Sequence, residues 1–216
     1  MRAPLVASIS LSLVVLTAGP TDAASVGGAA YGARLETQLG PQLAKTPFVD
    51  LDPKAGPSSA DAPSVDLASM LRTGPLSAQT AGGFGAESTS ARSRTTVQKV
   101  DVLDGLITAD LVLATASSVA DGRRAMSRAD GSTILGLRIK GEPVQRLLTP
   151  NTYIDIPDVG YVVINEQLPT GDGVADTGIT VNMIHVVRVN RAGVRIGEAV
   201  IGSAHSRASF LPSDRL

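Results

Sequence analysis

The chain has 216 residues, enough for one domain with a core of its own. Hydrophobic residues make up 43% of the sequence but aromatic residues only 3%, so few side chains can stack on sugars or bases. The net charge is −1 and no run of like charges occurs, which excludes the electrostatic footprint of a nucleic-acid-binding protein. Cysteine is absent, so disulfides and thiolate metal sites are excluded as well.

Residues 1–23 have the pattern of a secretion signal. Arg2 supplies the positive charge, residues 5–18 form the apolar run, and Thr21-Asp22-Ala23 places small residues around a cleavage site. About fourteen apolar residues fall short of the roughly 20 that a transmembrane helix needs. We therefore expect a signal peptide over 1–23, a secreted or envelope-associated protein, and no transmembrane segment in the mature chain. An exported domain without disulfides is more typical of bacteria than of eukaryotes.

The mature chain begins with a predicted strand, which a predicted loop follows. Alternate residues of 31–39 share one side of an extended chain, the period of a half-buried strand. They are Tyr31, Ala33, Leu35, Thr37 and Leu39. Residues 41–64 contain five prolines together with Ser, Asp and Gly. That composition predicts a Pro-rich surface loop or an extended crossover.

The strongest local signal is a β-hairpin over residues 96–119, closed at Asp104-Gly105. Asp-Gly favours a type I′ turn, because both central residues of that turn need positive φ. The pairing counted outward from this turn opposes Val102 with Ile107, Val100 with Ala109, Gln98 with Leu111, Asp101 with Thr108, Lys99 with Asp110, and Val97 with Val112. The first three pairs would share a mostly aliphatic face, and the last three the opposite face, which would carry a Lys–Asp ion pair.

Two further hairpins are predicted downstream. The first covers residues 152–166 and turns at Pro-Asp-Val-Gly, residues 157–160. The second covers residues 179–202 and turns at Asn-Arg-Ala-Gly, residues 190–193. If Val189 faces Val194, then His185 lies opposite Glu198 on an otherwise aliphatic face. We predict that these two residues form a satisfied buried pair rather than a ligand or proton site.

Together these patterns give about 8–10 short strands, turn signals at intervals of roughly 8–12 residues, and no convincing long helix. They predict an all-β fold, an antiparallel β-sandwich or partly open barrel, preceded by the signal peptide. We expect one β-domain over 24–210 and a C-terminal tail over 211–216. No internal repeat of fixed period is present in the sequence, so a solenoid is not expected.

Three stretches of the sequence carry a resemblance to a known family. They are G-L-I-T-A-D at 105–110 preceded by V-D-V-L-D, S-V-G-G-A-A-Y-G-A at 25–33, and N-E-Q at 165–167. In them the chain looks like the actinobacterial secreted proteins called the choice-of-anchor P family, and the likeness extends over most of the mature chain. The resemblance implies an exported β-domain and carries over no catalytic residue. Members of that family are named for their different C-terminal surface anchors. Residues 211–216, L-P-S-D-R-L, depart from the pattern because they have neither a hydrophobic tail nor a basic stop.

No set of residues in the sequence predicts catalysis, a cofactor or a metal. The two histidines are His185 and His205, and residues 202–206 lack the Gly-x-Ser-x-Gly elbow of a hydrolase. Residues 171–178 resemble a cation loop in composition but lack the carboxylate ladder of a calcium hand. The densest basic patch, Arg123, Arg124 and Arg128, is predicted to be a solvated loop.

The predicted function is therefore that of a non-enzymatic exported β-domain. It would serve in surface display, adhesion or scaffolding at the bacterial cell envelope, with an unknown envelope or extracellular partner and no nucleic acid. An alternative is a small-ligand or envelope-component binding module in the same compartment, and a hydrolase comes third. A deep pocket lined by convergent polar groups would favour the binding module.

Overall fold

A computed structural model describes residues 24–52, 54, 56–144 and 149–210, which form two antiparallel β-sheets. The predicted signal peptide, its cleavage site and the C-terminal tail lie outside these residues. The described part of the chain contains sixteen strands: β1 (Ala24–Thr37), β2 (Leu43–Asp50), β3 (Ser58–Ala62), β4 (Val65–Asp66), β5 (Leu71–Thr73), β6 (Leu76–Phe84), β7 (Thr89–Val102), β8 (Ile107–Ala120), β9 (Ala125–Arg128), β10 (Thr133–Leu135), β11 (Arg138–Ile139), β12 (Glu142–Pro143), β13 (Thr152–Ile156), β14 (Gly160–Gly171), β15 (Asp176–Val189) and β16 (Arg195–Phe210).

The strands are divided between a six-stranded sheet, in the order β13-β14-β15-β16-β1-β2, and a ten-stranded sheet built around β7 and β8. The order in the second sheet is β12-β11-β8-β7-β5-β4, with β6 also paired to β7, β3 to β6, and both β9 and β10 to β8. The sheets pack face to face, since β16 contacts β7 and β8, and β1 contacts β6 and β7. The predicted all-β antiparallel fold is confirmed as two packed sheets that are not closed into a barrel. No helix of the described residues is long and apolar enough to cross a membrane.

The loop predicted over residues 41–64 is largely wrong, because β2 and β3 lie within it. Both are edge strands: among the described strands β2 pairs with β1 alone and β3 with β6 alone. Proline is tolerated in an edge strand, where its missing N–H need not break a ladder, and β2 contains Pro47. Val49 and Leu51 are buried in the core nearby. Edge strands such as β2 and β3 raise the number of strands above the 8–10 that we expected.

The central hairpin turns where the sequence predicts. Asp104 and Gly105 have φ angles of 54° and 83°, the positive values of a type I′ turn. The N–H of Leu106 donates to the carbonyl of Leu103 at 3.3 Å and closes the turn. β7 and β8 then pair in the predicted register along their whole length.

The faces predicted for this hairpin are wrong beyond Lys99. Lys99 has a φ of 50°, and this irregularity interrupts the period-2 alternation. As a result Val97 and Val112 are buried in the core together with Val100, rather than facing the other way. The ladder skips Lys99 and Asp110, and no ion pair joins them in the part of the chain that the structure describes.

A similar break crosses the six-stranded sheet. Asn165 in β14 and Gly202 in β16 have positive φ angles of 53° and 70°, and β14 has no buried residue beyond Ile164. In β1 the buried residues are even-numbered up to 32 and odd-numbered from 33. Tyr31 is therefore only partly buried, and Leu39, which was predicted to share the inner side, is 96% exposed beyond the end of β1. We call the line through Lys99, Asn165 and Gly202 the alternation break.

The alternation break divides the core into halves of different composition. The large-residue half contains Leu35, Leu71, Val102, Ile107, Ile164, Ile184 and Ile201. The small-residue half contains Gly28, Ala30, Ala78, Ala91, Ser93, Ala116, Ser118, Ala204 and Ser206. Buried hydroxyls need partners, and in the small-residue half they find them across the sandwich: the Oγ atoms of Ser118 in β8 and Ser206 in β16 are 2.7 Å apart.

The turn of the central hairpin gives a first prediction. A Cβ at Gly105 would meet no atom within 4 Å, so the cost of Gly105→Val comes from the backbone alone. Because a β-branched residue resists positive φ, we expect the free energy of unfolding to fall by about 1 kcal/mol or more. Gly83→Val is the matched control, since Gly83 also has open space around it but no positive φ. Urea denaturation of both variants measures the difference, and equal midpoints would contradict the turn.

Candidate functional site

The structure brings His185 and Glu198 together on the outer face of the six-stranded sheet. His185 Nε2 lies 3.3 Å from Glu198 Oε2. The register predicted for these strands is nevertheless wrong, because Val187 lies opposite Glu198 and His185 opposite Val200, with an irregularity next to Val189. The alignment differs from the predicted one by two residues. His185 therefore reaches Glu198 diagonally, as long side chains can between neighbouring strands.

Two arginines also hold Glu198. The carboxylate is only 5% exposed, and Arg34 contacts its Oε1 while Arg195 contacts its Oε2. Arg34 donates in addition to Glu36 at 2.9 Å. The strand order puts β1 and β15 on either side of β16, so Glu198 lies between Arg34 and His185. A carboxylate can be buried here because basic side chains surround it.

His185 links this carboxylate to a second set of polar side chains. Its Nδ1 lies 3.0 Å from Glu166 Oε2 and donates to it, since a carboxylate only accepts. Asn182 Nδ2 donates to the same oxygen at 2.7 Å, and Ser203 Oγ donates to Asn182 Oδ1 at 2.8 Å. These side chains form a network that we call the buried polar network after its buried carboxylate, although Arg195 is about half exposed. Its members are Arg34, Glu166, Asn182, His185, Arg195, Glu198 and Ser203.

The side-chain contacts of the buried polar network hold neighbouring strands together. The two nitrogens of His185 face different carboxylates, and among the described residues no group of three His, Asp or Glu side chains could hold a metal ion. The hydroxyl of Ser203 donates to Asn182, whereas an activated serine donates to a base. The network spans β14, β15, β16 and β1, and it therefore ties four neighbouring strands together.

His205 lies apart from this network. Its Nδ1 is 3.0 Å from the Oγ1 of Thr180 on the neighbouring strand. Burial lowers the pKa of His205 below its ordinary value of 6.5. His185 lies opposite Val200, five positions along β16 from His205, or roughly 17 Å at about 3.4 Å per residue. The two histidines therefore cannot share a metal ion.

The carboxylates of the predicted cation-like loop are used within the fold. Asp172 Oδ1 accepts the backbone N–H groups of Val174, Ala175 and Asp176 at 2.8 to 3.0 Å. These backbone hydrogen bonds lower the pKa of Asp172 below its ordinary value. Asp176 receives two hydrogen bonds from Arg207, at 2.9 and 3.1 Å. The loop is thus stabilised by its own acidic side chains.

Sequence reasoning found two members of the buried polar network and missed the rest. Arg34 and Glu166 lie on strands far from β16 in the chain, and only the strand order brings them into the network, whereas Arg195 lies three residues from Glu198 on β16 itself. The one available signal was a charged residue inside an alternating strand. Arg34 falls on the polar side of residues 31–39, where a charge ordinarily faces solvent.

The strand order and the buried polar network are the two features by which a protein similar to this one would be identified. Such a relative would carry two packed antiparallel sheets with ionic side chains on the outer face of the smaller one. No family model, no curated protein and no solved structure matches the chain.

Proposed function

We propose that this protein is a non-enzymatic exported β-domain that serves in surface display, adhesion or scaffolding at a bacterial cell envelope. One observation carries the proposal: the charged side chains of the buried polar network contact one another, and only Arg34 Nε and His185 Nε2 among the network's buried nitrogens and oxygens lack a hydrogen bond. Glu198 is held by Arg34 and Arg195, and both nitrogens of His185 face carboxylates. A catalytic centre instead keeps a nucleophile or base positioned toward the substrate.

The sequence supplies the support for export. Residues 1–23 have the charged, apolar and small-residue regions of a signal peptide. The chain lacks cysteine, which suits a bacterial exported domain. The stretches at 25–33, 105–110 and 165–167 resemble secreted actinobacterial proteins.

Export is tested by fractionating an actinobacterial host that expresses the full chain. We expect the protein in the medium or the envelope fraction, with an N-terminus near Ala24, because Thr21-Asp22-Ala23 has the small residues that signal peptidase cleavage requires. N-terminal sequencing reads this directly. An intact Met1 on exported material, or protein confined to the cytoplasm, contradicts the proposal.

A second candidate function, a small-ligand or envelope-component binding module, is favoured by a groove on the other sheet. The groove has a volume of about 450 Å³ and is lined partly by Arg92 and Arg94. Polar groups that converge on a concavity are typical of binding sites. Capture of an envelope component by the immobilised protein, compared with capture by an Arg92→Gln/Arg94→Gln variant, tests this function.

A further inference from the structure

The groove lies on the outer face of the ten-stranded sheet, over β3, β6 and β7. Ser59 pairs with Gln79, which pairs with Arg94, and Ala81 pairs with Arg92 in the next row. The lining is completed by residues at the start of β3 and in β6: Pro57, Ser58 and Thr80. Every lining residue other than the two arginines is uncharged.

Five of the twelve arginines that the structure describes contact a carboxylate, and Arg92 and Arg94 are not among them. The five are Arg34, Arg72, Arg128, Arg195 and Arg207. Arg92 and Arg94 are exposed, and neither forms an ion pair with any described residue. They stand on the same face two residues apart, roughly 7 Å along the strand. Two neighbouring guanidinium groups without a counter-charge are a ready receptor for an anion.

The positive charge continues across the sheet. Arg92 pairs with Ser117 in β8, and Ser117 pairs with Arg128 in β9. Two strand spacings separate Arg92 from Arg128, about 10 Å. Arg128 was predicted to belong to a solvated loop, but it lies at the end of β9. Arg128 Nη1 contacts Asp130 Oδ2 at 3.7 Å, so its charge is partly balanced and it ranks as a secondary contact beside Arg92 and Arg94. Arg92 and Arg94 are spaced along the strand and Arg128 lies across the sheet, so the three suit a ligand that carries several separated negative charges.

The side chains between the arginines indicate which class of polymer would carry the negative charges of the ligand. Ser59 and Gln79 in the groove, and Ser117 beside Arg92, place hydroxyl and amide groups near the arginines, and such groups match the hydroxyls of sugars. No aromatic residue lines the groove, so neither sugars nor bases could stack there, but the net charge of −1 and the lack of a basic run argue against a nucleic acid. Charge and polarity therefore favour a glycan over a nucleic acid.

We propose that this groove binds an acidic polysaccharide through its carboxylate groups, with Arg92 and Arg94 as the principal anion ligands. The site deepens the second candidate function, that of a binding module, and does not depend on export. A guanidinium can hold a carboxylate with two parallel hydrogen bonds. The third arginine, Arg128, would then meet a carboxylate farther along the same glycan.

The test measures binding of a fluorescently labelled oligogalacturonate to the purified protein by anisotropy, with its methyl ester and an oligothymidylate as comparison probes. We expect Arg92→Gln/Arg94→Gln to weaken oligogalacturonate binding by roughly tenfold or more, because two charge-assisted contacts are lost. The matched control is Arg138→Gln/Arg191→Gln, which removes the same charge from exposed positions elsewhere. It should bind within about twofold of the unchanged protein, since only general attraction is altered.

Several outcomes would overturn the site. These are no binding of oligogalacturonate, equal binding of its methyl ester, tighter binding of oligothymidylate, or an equal loss of affinity in the control variant. The melting temperature of Arg92→Gln/Arg94→Gln checks that the variant is folded, so that its loss of affinity reports on the groove. Capture of another envelope component without oligogalacturonate binding would remove this site and leave the binding-module function standing.

Discussion

Glu198→Ala is expected to lower the free energy of unfolding by about 3 kcal/mol, the lower end of the range for breaking a buried ion pair. The carboxylate is buried, and its loss would leave Arg34, His185 and Arg195 without their shared partner. The cost should not be larger, because Arg195 is about half exposed and can turn its guanidinium into water. Urea denaturation followed by circular dichroism measures the change.

Glu36→Ala is the matched control for this prediction. Glu36 also binds Arg34, but its side chain is 57% exposed, and exposed ion pairs contribute at most about 1 kcal/mol. A cycle that combines His185→Ala with Glu198→Ala isolates the coupling between those two side chains. A coupling near zero would reject the contact. The double change His185→Leu/Glu198→Leu should recover only part of the loss, because Arg195 would still lack a partner and Arg34 would keep only the exposed Glu36.

The contact between His185 and Glu198 shows that a sequence pattern can determine the face on which a side chain lies but not the alignment of two strands. The predicted alignment of β15 and β16 differs from the observed one by two residues. A shift of two keeps every side chain on its face, so the aliphatic pattern fits both alignments equally well. The turn decides between them: Asn190 Oδ1 accepts the N–H groups of Ala192 and Val194 there, and β16 begins only at Arg195.

The all-β fold and the central hairpin were predictable because they depend on local signals. The Asp104-Gly105 turn and the period-2 pattern act over a few residues. The alternation break is different, since Lys99, Asn165 and Gly202 lie on three strands that only the fold arranges. An uninterrupted period of two, counted across such a break, assigns every residue beyond it to the wrong face.

The groove that contains Arg92 and Arg94 could not be predicted from the sequence either. Alternation places both arginines on the solvent side of β7, where charges are ordinary. Their lack of a carboxylate neighbour depends on which strands flank β7, and β6 and β8 place uncharged side chains beside them. The sequence search for basic runs therefore pointed to Arg123, Arg124 and Arg128 instead.

Gly28→Val should be strongly destabilising, whereas Gly27→Val on the same strand should not. A Cβ at Gly28 would lie 2.5 Å from Thr80 Oγ1 and 2.8 Å from Ser93 Oγ, in the small-residue half of the core. These two hydroxyls are buried and 3.0 Å from each other. Overpacking costs about 1–3 kcal/mol, and separating the hydroxyls adds roughly 1 kcal/mol.

The neighbouring glycine isolates this packing cost from the effect of valine on the strand. A Cβ at Gly27 would meet only Arg207 Cβ, at the ordinary distance of 3.8 Å. Valine also suits a strand better than glycine, so Gly27→Val should be neutral or slightly stabilising. At about 2–4 °C per kcal/mol for a domain of this size, Gly28→Val should melt roughly 10 °C below Gly27→Val. Equal melting temperatures would show that the two sheets do not approach each other closely at Gly28.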